Sequence, residues 1–269
     1  MSSIALADAL QPLRADPSRA AVLLDIDGTL APIVEHAADA RVPERTRQLL
    51  AAVARRYRLV ACVSGRRASE ARALVSLGTI TYLGSHGAEL LRAGWMEAVV
   101  DRDFEEWARR VADFGHKLSA AELRRARVRV EDKGPILAFH WRGASDEQSA
   151  RAMIDAIAAR AEAGGLSVHW GRKVLEVRPP VRIDKGAGIT ALLQGSGVQT
   201  ALYAGDDATD LDAFRALARL SEAGRLKRAL RVGVRSDEGP DAILEEADLV
   251  VDGTEGVEEL LSVLAQAAD

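Results

Sequence analysis

With Cys62 as its single cysteine the chain cannot form an internal disulfide. That residue sits in the apolar segment Leu59-Val60-Ala61-Cys62-Val63, as a small core side chain in a reducing compartment would. Also missing is any apolar run near the roughly 18 residues that a membrane span needs. Residues 1–20 carry Asp8, Arg14, Asp16 and Arg19 with two prolines, so they lack the apolar core of a signal peptide. The net charge of -4 is slight for 269 residues, which argues against a general nucleic-acid footprint and leaves room only for a local basic pocket. The five histidines show no metal-ligand spacing, and only His86, beside a glycine-rich strand end, is expected near a site. No internal repeat or low-complexity tract appears beyond Ala-rich helices. These absences predict a soluble, cytoplasmic protein with neither a nucleic-acid nor a membrane partner. The 48% apolar content is enough for one large or two modest domains.

What is present is a rhythm of apolar runs and amphipathic stretches. Ala20-Ala21-Val22-Leu23-Leu24 ends in Asp25-Ile26-Asp27-Gly28-Thr29, and residues 44–57 then place Leu49, Leu50, Val53 and Tyr57 at helical spacing behind Pro43. A second buried strand over 58–63 opens into Ser64-Gly65-Arg66. After a helix over 68–77, a third strand ends at Gly84-Ser85-His86-Gly87. From residue 101 the pattern changes. Phe104, Trp107, Val111 and Phe114 share a helix face, residues 127–132 alternate charged side chains with Val128 and Val130, and Gly134-Pro135 turns into a second strand over 136–141. A helix over 146–163 and two strands over 166–170 and 173–177 follow. The first rhythm returns at Ile183, with further strands at 201–204, 231–234 and 248–251. The expected fold class is therefore α/β: a Rossmann-like parallel-sheet core from 1–100 and 183–269, interrupted by an α+β domain at 101–182.

In an open parallel sheet, ligands bind beyond the carboxyl ends of the strands. Four polar clusters fall at or soon after such ends: Asp25 with Asp27, Ser64, Lys185, and Asp206 with Asp207 and Asp210. Alternate residues of an extended chain share a face, so Asp25 and Asp27 are expected to point into one cleft. By themselves these two also suit an ordinary Asp-x-Asp-Gly turn, and Asp207 and Asp210 suit helix caps. Together, the carboxylates can hold a hard divalent cation, and Lys185, Ser64 and backbone amides can hold a phosphate.

This ordered set resembles the haloacid dehalogenase (HAD) superfamily of aspartate-nucleophile phosphotransferases. More narrowly, Val63-Ser64-Gly65-Arg66, Gly84-Ser85-His86-Gly87, Val130-Glu131-Asp132-Lys133-Gly134, Val174-Leu175-Glu176-Val177-Arg178-Pro179 and Gly205-Asp206-Asp207-Ala208-Thr209-Asp210 are similar to motifs of trehalose-6-phosphate phosphatases. The chain departs from that pattern at Leu211-Asp212-Ala213-Phe214, where Glu-Asp-Ala-Phe is usual. The resemblance implies Asp25 as nucleophile, Asp27 as acid and then base, and Ser64 and Lys185 as grips on the phosphate. It implies Mg2+ held by the Asp25 carboxylate, the Asp27 backbone carbonyl and Asp206, with Asp207 and Asp210 orienting the metal's waters and Lys185. The inserted domain is then a mobile cap whose Glu131, Lys133 and Glu176 hydrogen-bond sugar hydroxyls; an ordinary charged strand face is the alternative for these three. The roles of Arg142, Arg178 and His86 stay open, as does the oligomeric state. The expected activity is hydrolysis of trehalose 6-phosphate. The alternatives are a related phosphatase for another sugar phosphate, such as sucrose phosphate or mannosylglycerate phosphate, and an inactive sugar-phosphate sensor.

Overall fold

A computed structural model describes residues 3–34, 39–132, 135–171, 173–180, 184–236 and 239–267. The chain divides into two compact units, Met1–Val99 with Ile183–Asp269, and Val100–Arg182.

In the larger unit the strands are β1 (Ala20–Leu24), β2 (Leu59–Val63), β3 (Thr81–Gly84), β4 (Glu89–Leu91), β10 (Thr200–Gly205), β11 (Arg228–Arg235) and β12 (Leu249–Asp252). With β5 (Val99–Val100) they form one sheet in the order β12-β11-β10-β1-β2-β3-β4-β5. Pairing is parallel from β12 across to β3, and β4 then joins β3 antiparallel. Every residue of β1 is buried. Val22 and Leu24 face one core with helices α1 (Ser3–Arg14), α2 (Glu44–Ala54), α3 (Ala68–Val75) and α10 (Gly253–Ala265), while Ala21 and Leu23 face a second core with α7 (Lys185–Leu193), α8 (Asp210–Glu222) and α9 (Asp241–Glu246). A strand covered on both faces has no polar side to show, which is why it reads as an unbroken apolar run.

Two elements lie outside the sequence rhythm. Helix α1 docks Leu6, Leu10 and Leu13 into the first core, although the segment carries Pro12, Asp8 and Arg14. Strand β4 owes its place to Glu89, buried at 5% exposure, whose carboxylate accepts from the Ala68 amide at 2.9 Å and the Ser85 hydroxyl at 3.0 Å. That bond caps the start of α3 from 21 residues away.

The smaller unit pairs β6 (Arg129–Asp132), β7 (Leu137–His140), β8 (Ser167–Gly171) and β9 (Val174–Arg178) antiparallel in the order β6-β7-β9-β8. Its core joins Leu137, Phe139, Leu175 and Val177 to helices α4 (Arg102–His116), α5 (Ala120–Arg125) and α6 (Glu147–Ala163). Asp101 and Asp146 cap α4 and α6 by accepting from the Phe104 and Ser149 amides. Alternation sends Ala138 to the face away from that core, and cross-strand register lines up Glu131, Ala138, Glu176 and His169 in one row there.

Candidate active site

The parallel register sets the carboxyl ends of β1 and β10 side by side, Leu24 opposite Ala204, and the Asp25 amide donates to the Ala204 carbonyl at 2.9 Å. Into this corner comes Lys185, the first residue of α7, whose start is fixed by Asp184 accepting from the Ala187 amide. The Lys185 ammonium, 2% exposed, donates to Asp25 Oδ1 at 2.7 Å and Asp210 Oδ1 at 2.6 Å. Burial would strip a lone lysine of its proton, but Asp210 and Asp25 outweigh that and hold its pKa above the ordinary value.

Asp210 accepts four hydrogen bonds: from Lys185 and the Tyr203 hydroxyl on Oδ1, and from the Asp206 and Asp207 amides on Oδ2. Its four lone-pair positions are therefore filled. Asp207 accepts from the Thr209 amide and hydroxyl, both at 2.7 Å, and from the Asp210 amide at 3.2 Å, so it caps α8. Burial would raise the Asp207 pKa, yet the Lys185 charge and the Thr209 donors bring it below the ordinary value. Both residues thus shape the loop after β10 and seat Lys185.

Asp206 is also buried, and its two oxygens accept from Thr29 Oγ1 and Ser236 Oγ, each at 3.3 Å. Its approach depends on Gly28, since a Cβ there would lie 2.1 Å from Asp206 Oδ2 and φ at Gly28 is +84°. Burial, with Asp210 and Asp207 nearby, pushes the Asp206 pKa up to about 6. Burial also raises Asp25 well above the carboxylate range, against the pull of Lys185 and with a push from Asp210.

Four carboxylates thus surround one ammonium. Asp25, Asp206 and Asp210 each bring an oxygen within 4.8 Å of the other two. Because Asp210 is already saturated, the oxygens suited to a hard cation belong to Asp25 and Asp206. A dication between them would offset the burial, and the neighbouring carboxylates, that raise both their pKa values.

Asp27 lies just past the strand and is bonded by Arg66 rather than by Lys185. Strand β1 stops at Leu24 and the chain coils, with the Leu30 and Ala31 amides both donating to the Ile26 carbonyl at 2.8 Å. The alternation of an extended strand no longer orients Asp27; its carboxylate bonds Arg66, whose charge is also felt by Asp25. The Asp27 carboxylate is 41% exposed and held bidentately by Arg66, Nε to Oδ2 at 2.8 Å and Nη2 to Oδ1 at 2.6 Å. Ser64, buried at the end of β2, accepts from the Arg66 amide at 3.1 Å, so Arg66 ties Ser64 and Asp27 together. His86, with φ +56°, donates its amide to the Ser64 carbonyl at 3.0 Å.

In the smaller unit, Glu131 meets His140 Nε2 at 2.9 Å and Arg129 at 3.7 Å, and Glu176 accepts from Arg178 Nε at 3.0 Å. Lys133 lies outside the described residues. Arg142 is exposed in the turn after β7. The sequence points to no role for Arg66, Tyr203 or Ser236, and for Thr29 only to a hydroxyl and an amide just past β1. Arg66 stands in a motif that could have drawn attention to it, whereas Tyr203 is hidden in an apolar strand.

The chain superimposes on a haloacid dehalogenase-like hydrolase from Bacteroides thetaiotaomicron with a TM-score of 0.61 at 14% identity, covering 90% of this chain and 98% of that one. Its fold is of the haloacid dehalogenase class. An Aspergillus fumigatus trehalose-6-phosphate phosphatase gives a TM-score of 0.66 at 21% identity, covering 100% and 98%. The trehalose-phosphatase family model matches residues 23–242, and the chain belongs to that family. Among curated relatives, the maize trehalose 6-phosphate phosphatase RA3 is 30% identical over 217 residues, 75% of this chain and 60% of that protein. An uncharacterized glycosyl hydrolase of Mycobacterium tuberculosis, Rv2006, is 33% identical over 213 residues, 74% of this chain and 15% of that protein. The chain thus spans only part of the length of these relatives. Among the described residues, no helix is long and apolar enough to cross a membrane.

Proposed function

We propose that the chain is a Mg2+-dependent phosphatase that converts trehalose 6-phosphate into trehalose and phosphate. The observation that carries this reading is the Lys185 ammonium bridging Asp25 and Asp210 beside Asp206, in a chain of the trehalose-phosphatase family. Asp25 attacks phosphorus, the bond from phosphorus to the sugar oxygen breaks, and that oxygen takes a proton from Asp27. A water then attacks the aspartyl phosphate while Asp27 takes its proton, which releases phosphate and restores Asp25. Ser64 and Lys185 hold the non-bridging oxygens, and Asp207 and Asp210 keep Lys185 and its loop in place. Because Arg66 grips both oxygens of Asp27, it must yield part of that hold before Asp27 can carry the proton.

The Asp25 carboxylate, the Asp27 backbone carbonyl and Asp206 would hold Mg2+, whose charge offsets the phosphate dianion when bound. The larger unit is the catalytic domain in this reading, and the smaller unit sets specificity through Glu131, Lys133 and Glu176 on the sugar hydroxyls. Carboxylates that accept several hydroxyls at once suit a polyol. A cytoplasmic location belongs to the same proposal and agrees with a buried, unpaired Cys62.

The test is phosphate release from trehalose 6-phosphate, with and without chelator, beside glucose 6-phosphate, sucrose phosphate and mannosylglycerate phosphate. The expected result is turnover of trehalose 6-phosphate well above the others, lost with chelator and restored by Mg2+. Equal turnover across the panel would remove the assigned substrate. Binding without release would revive the inactive sensor.

A further inference from the structure

Within the apolar run of β10, Tyr203 is fully buried, paired in the sheet with Leu23 of β1 and Arg231 of β11. Its ring meets Phe214 of α8 edge to face, with centroids 6.1 Å apart and planes at 83°, so packing fixes where the hydroxyl points. That hydroxyl donates to Asp210 Oδ1 at 2.5 Å, and Lys185 donates to the same oxygen at 2.6 Å. Lengths this short mark an ionised acceptor. The other Asp210 oxygen is held by the Asp206 and Asp207 amides, both at 2.9 Å. Oδ1 is thus divided between one ammonium and one hydroxyl. Lys185 in turn divides its hold between Asp210 and Asp25, the latter at 2.7 Å, with the Asp207 charge also acting on it. Two of its three N–H donors are committed in this way, and the third can meet a phosphate oxygen. Burial and the charges of Asp210 and Asp25 hold the Tyr203 pKa well above the ordinary value, so the hydroxyl stays a donor.

We propose that Tyr203 is a positioning residue for the reaction: by sharing Asp210 Oδ1, its hydroxyl keeps that carboxylate from drawing Lys185 away from Asp25 and the incoming phosphate. The role depends on the phosphatase activity proposed above, in which Lys185 holds a non-bridging oxygen. Two donors on one carboxylate oxygen compete for its charge. With the hydroxyl gone, Lys185 alone answers Oδ1, closes on it, and loosens its hold on Asp25 and on the phosphate. Tyr203 itself touches no reacting atom. Its effect passes through Asp210 to Lys185, from a side chain buried in the sheet to the group that meets the phosphate.

The test is Tyr203→Phe, which removes one oxygen and leaves the ring against Phe214. Its first readout involves no turnover: proton–nitrogen NMR of the lysine ammonium groups in the full chain without divalent cation. Lys185 is the one buried lysine among the described residues, so its ammonium protons exchange most slowly with water. The expected result is a slowly exchanging ammonium signal in the wild type that moves in Tyr203→Phe. Fluorotyrosine in place of Tyr203 is a stronger donor of nearly the same size, and should move that signal the opposite way. It also serves if Tyr203→Phe does not fold. A signal that stays put in the folded variants would overturn the positioning role, whatever the substrate. The second readout is kinetic: kcat/KM should fall by a common factor, roughly 10- to 100-fold, for trehalose 6-phosphate and a small aryl phosphate. Lys185 meets the phosphoryl group that both substrates share. A role in packing alone would lower the melting temperature and leave kcat and KM of the folded protein unchanged, which would overturn the proposal. A loss confined to trehalose 6-phosphate would overturn it too, by placing the effect on the sugar. A wild-type chain that released no phosphate would remove the proposed function, and the ammonium signal would still decide whether Tyr203 positions Lys185.

Discussion

In the larger unit Asp210 is fully buried and accepts four hydrogen bonds, whereas in the smaller unit Glu131 meets His140 and Arg129 with 39% of its side chain in water. A buried charge is tolerated only with its partners in place, so each partner of Asp210 is also a constraint on where Lys185 and Asp206 sit. A half-exposed pair holds its members loosely, because water replaces a lost partner at small cost. Under the proposed function, rigid placement suits a group that would meet phosphorus in one geometry, and exchangeable partners suit groups that would leave one another to accept sugar hydroxyls.

The sharpest way to probe the buried cluster is Asp25→Asn, which should lower phosphate release by on the order of 10⁴-fold or more while the protein still melts as a folded domain. A variant that kept wild-type turnover would remove Asp25 as nucleophile. Next, Asp210→Ala leaves the Tyr203 hydroxyl buried without its acceptor and Lys185 with Asp25 alone. It should cost about 3–5 kcal/mol in urea unfolding, together with most of the activity.

The pH dependence follows from Asp206, whose folded pKa is about 6 against an ordinary 3.8. Between those values the unfolded chain has released its proton and the folded chain still holds it. Stability of the metal-free protein should therefore be fully present below about pH 4 as far as this group is concerned, and fall as pH rises through about 6. Mg2+ should flatten that decline and bind more weakly below pH 6, both measurable by thermal melts across pH.

On the exposed side of the comparison, Glu131→Ala should lower kcat/KM for trehalose 6-phosphate by roughly 10- to 100-fold and spare a small aryl phosphate. Equal losses on both substrates would place Glu131 in the general machinery. Smallest of all, Glu147→Gln breaks only the surface pair with Lys173, and should change unfolding free energy by less than about 1 kcal/mol.

The α/β class was legible because a strand buried on both faces cannot hide its composition: Ala20–Leu24 and Thr200–Gly205 are nearly pure apolar runs. Helix α1 was not, because Asp8 and Pro12 interrupt its three buried leucines. At the site, the order of strand-end motifs named Asp25, Lys185, Asp206 and Asp210. The grip of Arg66 on Asp27 was not legible, since the pair spans 39 residues and Asp27 sits in a coil past the end of the strand. Tyr203 escaped for the opposite reason, an aromatic among apolar neighbours whose hydroxyl shows its partner only in three dimensions.

Composition and periodicity alone determined that this chain builds a parallel sheet with acidic loops at the ends of its strands, because burial and backbone pairing leave their mark on consecutive residues. Which carboxylate is saturated, which is left for a cation, and which is held by an arginine was decided only in the folded molecule. Hydrogen bonds between side chains depend on where distant segments meet, and a linear order of residues carries no such distance.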